Sequence, residues 1–232
     1  MQTLQRALAV ASLIASATLC GGALAGSIRG TVLYTGPAPA PRKVDVTIDQ
    51  YVCGTDKDPG DLIVSAKKGV RNAVVWIDNP PPDRAKPVPG PAVSIDQQGC
   101  LFVPRVVIVQ AGGTVDFLNS DRLLHNIHAT PKQNVSFNRT QPKGRTIPVT
   151  FAKPEIVRVA CDLHSWMTAW VVVAAHPFYA MTDADGQFAF DDLPPGVYHL
   201  SIWQERLGTT RADVVVDASK PARVNVEMAP PR

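Results

Sequence analysis

Ile156-Val-Arg-Val-Ala-Cys161-Asp-Leu-His164-Ser-Trp-Met167-Thr-Ala-Trp-Val-Val-Val-Ala174 is two apolar runs joined by a short polar loop. Both runs are brief and rich in valine, the composition of strands. The loop sets Cys161, His164 and Met167 three residues apart. A strand ending at Cys161 and another starting after Met167 swing these three side chains back over one place. Nine further runs outward from this pair have the same character: 28–34, 73–77, 106–109, 114–118, 149–151, 187–190, 198–203, 212–216 and 223–227. Each is bounded by Gly, Pro, Asn or Asp, and no window of helical length sustains a 3.6-residue period. With 21 prolines and 16 glycines in 232 residues, the expected class is all-β, built of sandwiches. The Pro-rich stretch 79–91 is the clearest internal boundary, and a second falls at 175–177.

Composition narrows the function. Hydrophobic residues make up 45% and charged residues 19%, enough for a core and too little charge for a disordered polymer. A net charge of +3 without a Lys/Arg cluster excludes a nucleic-acid footprint. Residues 1–25 read as a secretory signal peptide: Arg6, an apolar region over 7–19, then Ala23-Leu24-Ala25 as the small-x-small site. Cleavage after Ala25 and export to a periplasm are expected. An uncleaved membrane anchor is the competing assignment, disfavoured by the short apolar run. Cys20 follows the bulky Leu19, which argues against a lipoprotein.

Loss of Cys20 leaves Cys53, Cys100 and Cys161, an odd number for an oxidising compartment. Cys53 and Cys100 lie in Gly- and Asp-rich surroundings, whereas Cys161 shares its run with His164 and Met167. The expectation is a Cys53–Cys100 disulfide with Cys161 kept as a thiolate. Three buried thiols are the alternative, since spacing does not set connectivity. Upstream lies Asn119-Ser-Asp-Arg-Leu-Leu-His125-Asn-Ile-His128. One thiolate, two imidazoles and one thioether form a soft donor set that matches a blue-copper (type 1) electron-transfer centre; structural zinc rarely uses Met. The expected metal ligands are His125, Cys161, His164 and Met167. Strand alternation points His128 away from His125, so it is assigned to structure or surface, with a place as ligand instead of His125 as the alternative. His176 is expected at a domain junction or surface, His199 exposed, and Trp76, Trp170 and Trp203 in cores. No paired carboxylates or Ser-His-Asp set stands out, and no enzyme is expected.

Two family resemblances follow. Thr182-Asp-Ala-Asp-Gly186 through Leu193-Pro-Pro-Gly-Val-Tyr-His-Leu200, with Gly30-Thr-Val32 and Asn72-Ala-Val-Val-Trp76, resembles the carboxypeptidase-regulatory-like (transthyretin-like) β-sandwich. Residues 92–175 resemble a cupredoxin of the amicyanin/plastocyanin kind. There Phe102-Val-Pro104 and Ala111-Gly-Gly-Thr-Val-Asp-Phe-Leu-Asn119 follow the opening strands, and Cys161-x-x-His164-x-x-Met167 is the short ligand loop. The pair implies a discontinuous sandwich, 26–91 plus 176–232, with a cupredoxin Greek-key sandwich inserted at 92–175; two consecutive domains are the simpler alternative. The chain as a whole resembles periplasmic methylamine-utilisation or plastocyanin-like proteins. The cupredoxin resemblance implies one copper ion, Asn126 tying the two ligand loops together, His164 as the solvent-facing electron exit, and Trp166 as a hydrophobic rim for docking. It further implies a soluble carrier of single electrons, with a copper chaperone or a metal-free binding module as alternatives. Residues 92–175 hold eight basic and five acidic side chains, which suits an acidic redox partner such as a cytochrome or dehydrogenase.

Overall fold

A computed structural model of the chain describes residues 25–40 and 42–231. The signal-peptide assignment therefore falls almost wholly outside the described residues. Among those described, no helix is long and apolar enough to cross a membrane.

The first third of the chain forms β1 (Gly26–Tyr34), β2 (Val44–Asp45), the single-turn helix α1 (Gln50–Cys53), β3 (Asp56–Lys57), β4 (Ile63–Val64), β5 (Val70–Arg71) and β6 (Val74–Ile77). The middle forms β7 (Val93–Gln97), β8 (Phe102–Val103), β9 (Val106–Gln110), β10 (Gly113–Asn119), β11 (His125–Ala129), β12 (Phe137–Gln141), β13 (Ile147–Phe151), β14 (Ile156–Ala160) and β15 (Thr168–Ala174). The last part forms β16 (Tyr179–Met181), β17 (Gln187–Leu193), β18 (Gly196–Gln204), β19 (Gly208–Val216) and β20 (Ala222–Met228). The eleven expected runs all fall on strands, 73–77 starting one residue ahead of β6, and the fold is all-β.

Four sheets make two sandwiches. One pairs the sheet β13-β10-β7-β8 with the sheet β12-β11-β14-β15-β9. Its core holds Ile95, Val115, Phe117, Ile127, Phe151, Val159 and Val171, all essentially inaccessible to water. The other pairs β17-β1-β20 with β16-β6-β18-β19, so it draws strands from both ends of the chain. Its core holds Ile28, Val32, Ile77, Leu193, Leu200 and Ile202. Gly186 closes the turn into β17 at φ 78°, where an added Cβ would lie 2.5 Å from the Val32 carbonyl oxygen.

The sandwiches also pack on each other. β6 sends Val75 and Ile77 into its own core and Val74 and Trp76 outward; β15 does the same with Val171 and Val173 against Trp170 and Val172. Both strands read as unbroken apolar runs because both faces are covered. The sequence puts Trp76, Trp170 and Trp203 in cores. They sit half-buried in this junction, packed against Val74, Val106 and Val172. The junction carries a largely covered ion pair. Arg105 Nη2 donates to Glu205 Oε2 at 2.8 Å, Arg105 Nη1 donates to the carbonyls of Pro59 (2.7 Å) and Thr168 (3.1 Å), and Trp170 Nε1 donates to Glu205 Oε2 at 2.9 Å. His176 is buried against Phe178 and Tyr179. His199 is exposed.

Residues 44–57 cross over as a strap. β2 pairs with β3, Val46 N–H donates to the Thr55 carbonyl, and α1 forms the tip. Val46 and Cys53 are buried in the core of the β7–β15 sandwich, and a Cys53–Cys100 disulfide fastens the tip to it.

Candidate metal centre

β14 runs antiparallel to β11, with Ala160 opposite His128, and this pairing brings the start of β11 to the end of β14. Cys161 therefore leaves β14 beside His125. The loop then folds back on itself: Met167 N–H donates to the His164 carbonyl at 2.9 Å, and Cys161 N–H donates to the Met167 carbonyl at 3.3 Å. This turn directs His164 inward.

Three donor atoms converge. His125 Nδ1 lies 3.0 Å from His164 Nδ1, and Cys161 Sγ lies 3.9 Å and 3.7 Å from them. The centre of that triangle is about 2.1 Å from each atom, the bond length of a transition metal to imidazole and close to that of a thiolate. The three side chains are sealed from water, with His125 and His164 wholly inaccessible. Met167 is also wholly buried and belongs to the same core.

The far nitrogen of each imidazole is committed to a carboxylate. Asp121 Oδ2 lies 2.9 Å from His125 Nε2, and Asp49 Oδ2 lies 3.1 Å from His164 Nε2. With both Nε2–H groups donating to aspartates, both Nδ1 lone pairs face the sulfur and each other. Such a cluster is tolerable only around a proton or a cation, so the donor set fits a metal ion. Burial opposes charge on His125, but its bonds to Asp121 and Cys161 outweigh that and push its pKa up to about 9. Burial holds His164 below the usual imidazole range against the pull of Asp49. Burial likewise resists the Cys161 thiolate. Hydrogen bonding from His125 and the N–H groups of Asn126, His164 and Leu163 prevails, and its pKa falls.

A polar frame surrounds the triangle. Asp121 accepts the N–H groups of Gly99 (2.7 Å) and Cys100 (2.8 Å). Asn126 spans β11 and the ligand loop: its Oδ1 accepts Asp162 N–H at 2.7 Å and its Nδ2 donates to Asp162 Oδ2 at 2.9 Å. His128 lies on the outer side of β11, half-exposed, with Nδ1 2.8 Å from Asp162 Oδ1. Trp166 Nε1 donates to the Cys100 carbonyl at 2.9 Å.

Beyond the site, the segment from β15 onward carries its own likeness. Residues 168–229 match the model of the carboxypeptidase regulatory-like domain. The match starts in β15, which in this structure pairs with β14 and β9, and ends just past β20. β1 and β6, outside the match, complete the sheets that β16 to β20 form. Solved structures are similar to part of the chain. A copper-containing nitrite reductase from Thermus scotoductus is 26% identical over 40% of this chain, with a TM-score of 0.35; the chain spans only 26% of it. A purple cupredoxin from Nitrosopumilus maritimus is 20% identical over 35% of this chain and 99% of its own, at TM-score 0.32. Amicyanin from Paracoccus versutus is 23% identical over 43% of this chain and 97% of its own, at TM-score 0.33. No curated protein matches the chain.

Two expectations about the site's surroundings are corrected. His164 is not solvent-facing, because the strap lies over it and Asp49 occupies its outer nitrogen. Trp166 is no rim: it is buried, with its ring 5.2 Å from that of His164 and its N–H spent on Cys100. Sequence reasoning misses Asp49 and Asp121. Asp121 stands four residues before His125, a spacing with no assigned meaning on a strand-and-turn chain. Asp49 carries no local signal at all.

Proposed function

We propose that the chain is a cupredoxin-type copper protein that carries single electrons between redox partners and catalyses no reaction of its own. The observation that carries this is the triangle of His125 Nδ1, His164 Nδ1 and Cys161 Sγ, buried and aimed at one point. Met167, buried in the same core, is the proposed fourth donor. Copper bound there would supply a Cu(II)/Cu(I) couple for outer-sphere electron transfer. The chain's own part is to hold the donors still. Asp121 and Asp49 fix the imidazole orientation, Asn126 locks the ligand loop to β11, and the buried cores exclude water. A rigid site suits both oxidation states and keeps reorganisation small.

The domain division proposed is 26–91 plus 176–232 around 92–175, supported by the sheet memberships. Export to a periplasm is supported by the Cys53–Cys100 disulfide, which belongs in an oxidising compartment. An acidic redox protein is the proposed partner, given the basic excess of 92–175. A copper-delivery role is the second possibility. The sealed donors disfavour it, because ligand exchange needs access to the ion and electron transfer does not.

The test is the visible spectrum of the protein after Cu(II) addition, beside Cys161→Ser. An intense band that is absent in the variant is expected, with reversible reduction at a stable potential. A colourless parent protein overturns the proposal, and a bound copper that cannot be cycled favours delivery.

A further inference from the structure

We propose that Asp49 is a positioning residue of the metal centre, delivered by the strap from outside the sandwich that supplies the donors. Its carboxylate accepts the Nε2–H of His164, turns Nδ1 toward the metal, and biases bound copper toward Cu(II).

The geometry is specific. Asp49 Oδ2 is 3.1 Å from His164 Nε2, and the His164 side chain is wholly buried while that of Asp49 keeps 28% exposure. Asp49 thus closes the centre toward water. The backbone is shaped to deliver this carboxylate. Asp49 adopts φ 56°, ψ 32°, a left-handed conformation that costs a non-glycine residue energy and occurs where the surroundings enforce it. Its carbonyl accepts the N–H groups of Val52 (3.0 Å) and Cys53 (2.9 Å), which starts α1. Cys53, the last residue of α1, is bound to Cys100. The backbone of Asp49 is therefore anchored through the turn that follows it. His125 has the same support from Asp121 within the donor sandwich. The two imidazoles are matched, one buttressed locally and the other by the strap.

A carboxylate on the outer nitrogen raises the basicity of a ligating imidazole, and loss of such a partner typically costs 10–100-fold in metal affinity. Its charge favours the more highly charged ion, so its removal raises the reduction potential.

This rests on copper binding as proposed above, and the experiment separates the two. Asp49→Asn keeps shape and an acceptor oxygen but removes the charge. Asp49→Ala removes both, Asp49→Glu restores the charge, and Asp45→Asn removes a charge from an exposed position on the same strap. The expected result is about a tenfold fall in preference for Cu(II) over Cu(I) in Asp49→Asn, which is ~59 mV for one electron. Asp49→Ala is expected to shift further, Asp49→Glu to recover part, and Asp45→Asn to stay near the parent. Potentials that do not move in Asp49→Asn and Asp49→Ala overturn the assignment while leaving copper binding standing. If the parent takes no copper, nitrogen-15 NMR of the metal-free protein reads the positioning directly. The His164 proton on Nε2 in the parent, lost from that nitrogen in Asp49→Ala, supports it; an unchanged tautomer overturns it.

Discussion

At the scale of single residues, the centre is a competition between protons and metal for three lone pairs. His125 in the metal-free protein is raised to about 9, so near pH 7.5 it is an imidazolium, and it lies beside a Cys161 thiol whose pKa is itself lowered. Copper must displace the proton on His125. Uptake at pH 7.5 is therefore expected to release at least one proton per copper, measurable in weakly buffered solution. Apparent affinity is expected to rise at least about tenfold per pH unit well below 9 and less steeply above it, where His125 is already neutral. An affinity that falls with pH in that range would show that the proton is not on His125. Cys161 and His164 were legible from their three-residue spacing between two strands, and His125 only through the company of an upstream His-Asn-x-His run. Asp49 was not, since a carboxylate 115 positions away from the imidazole it serves leaves no periodic or motif-like trace.

At the scale of elements, strands with alternating or continuous apolar residues were legible and those without were not. β12 buries only its ends, Phe137 and Gln141, around an exposed Asn-Arg-Thr centre, so no hydrophobic alternation marks it. β7 buries Gln97, whose amide pairs with Gln141 at 2.7 Å, a polar contact that pattern reasoning assigns to the surface. The strap is harder still: β2, α1 and β3 amount to eight residues in three pieces and are held by a covalent bond. That bond is the element's anchor. The double variant Cys53→Ser/Cys100→Ser is expected to lose about 2–5 kcal/mol of stability in the metal-free protein, read by denaturant unfolding. Copper extraction by a chelator is expected to run roughly tenfold faster, as the cover over His164 loosens. Extraction at the parental rate would mean the strap stays seated without its disulfide.

At the scale of the whole molecule, the two sandwiches are joined by more than chain connectivity. Val74, Val106 and Val172 are fully covered between them, and Arg105 and Glu205 form an ion pair whose side chains are 12% and 8% exposed. Arg105 also donates to Pro59 and Thr168, so a single guanidinium touches three segments of chain. Glu205→Ala leaves that charge buried without its partner and is expected to cost about 3–5 kcal/mol by denaturant unfolding. A loss below about 1 kcal/mol would mean the junction opens to let water solvate Arg105. Apart from His176, little of this junction was legible in advance, because Trp76, Trp170 and Trp203 read equally well as core.

The strap also imposes an order of assembly. Asp49 and Cys53 precede Cys100 by roughly 50 residues, and Cys100 precedes the ligand loop by a further 60 or so. Synthesis proceeds from the N-terminus, so the parts of the cover exist before the donors they cover. The lid nonetheless seats only once the vessel beneath has folded, because Val46 and Cys53 are buried in that vessel's core. Metal that arrives before this closure meets an open site, and metal that arrives after it meets a sealed one.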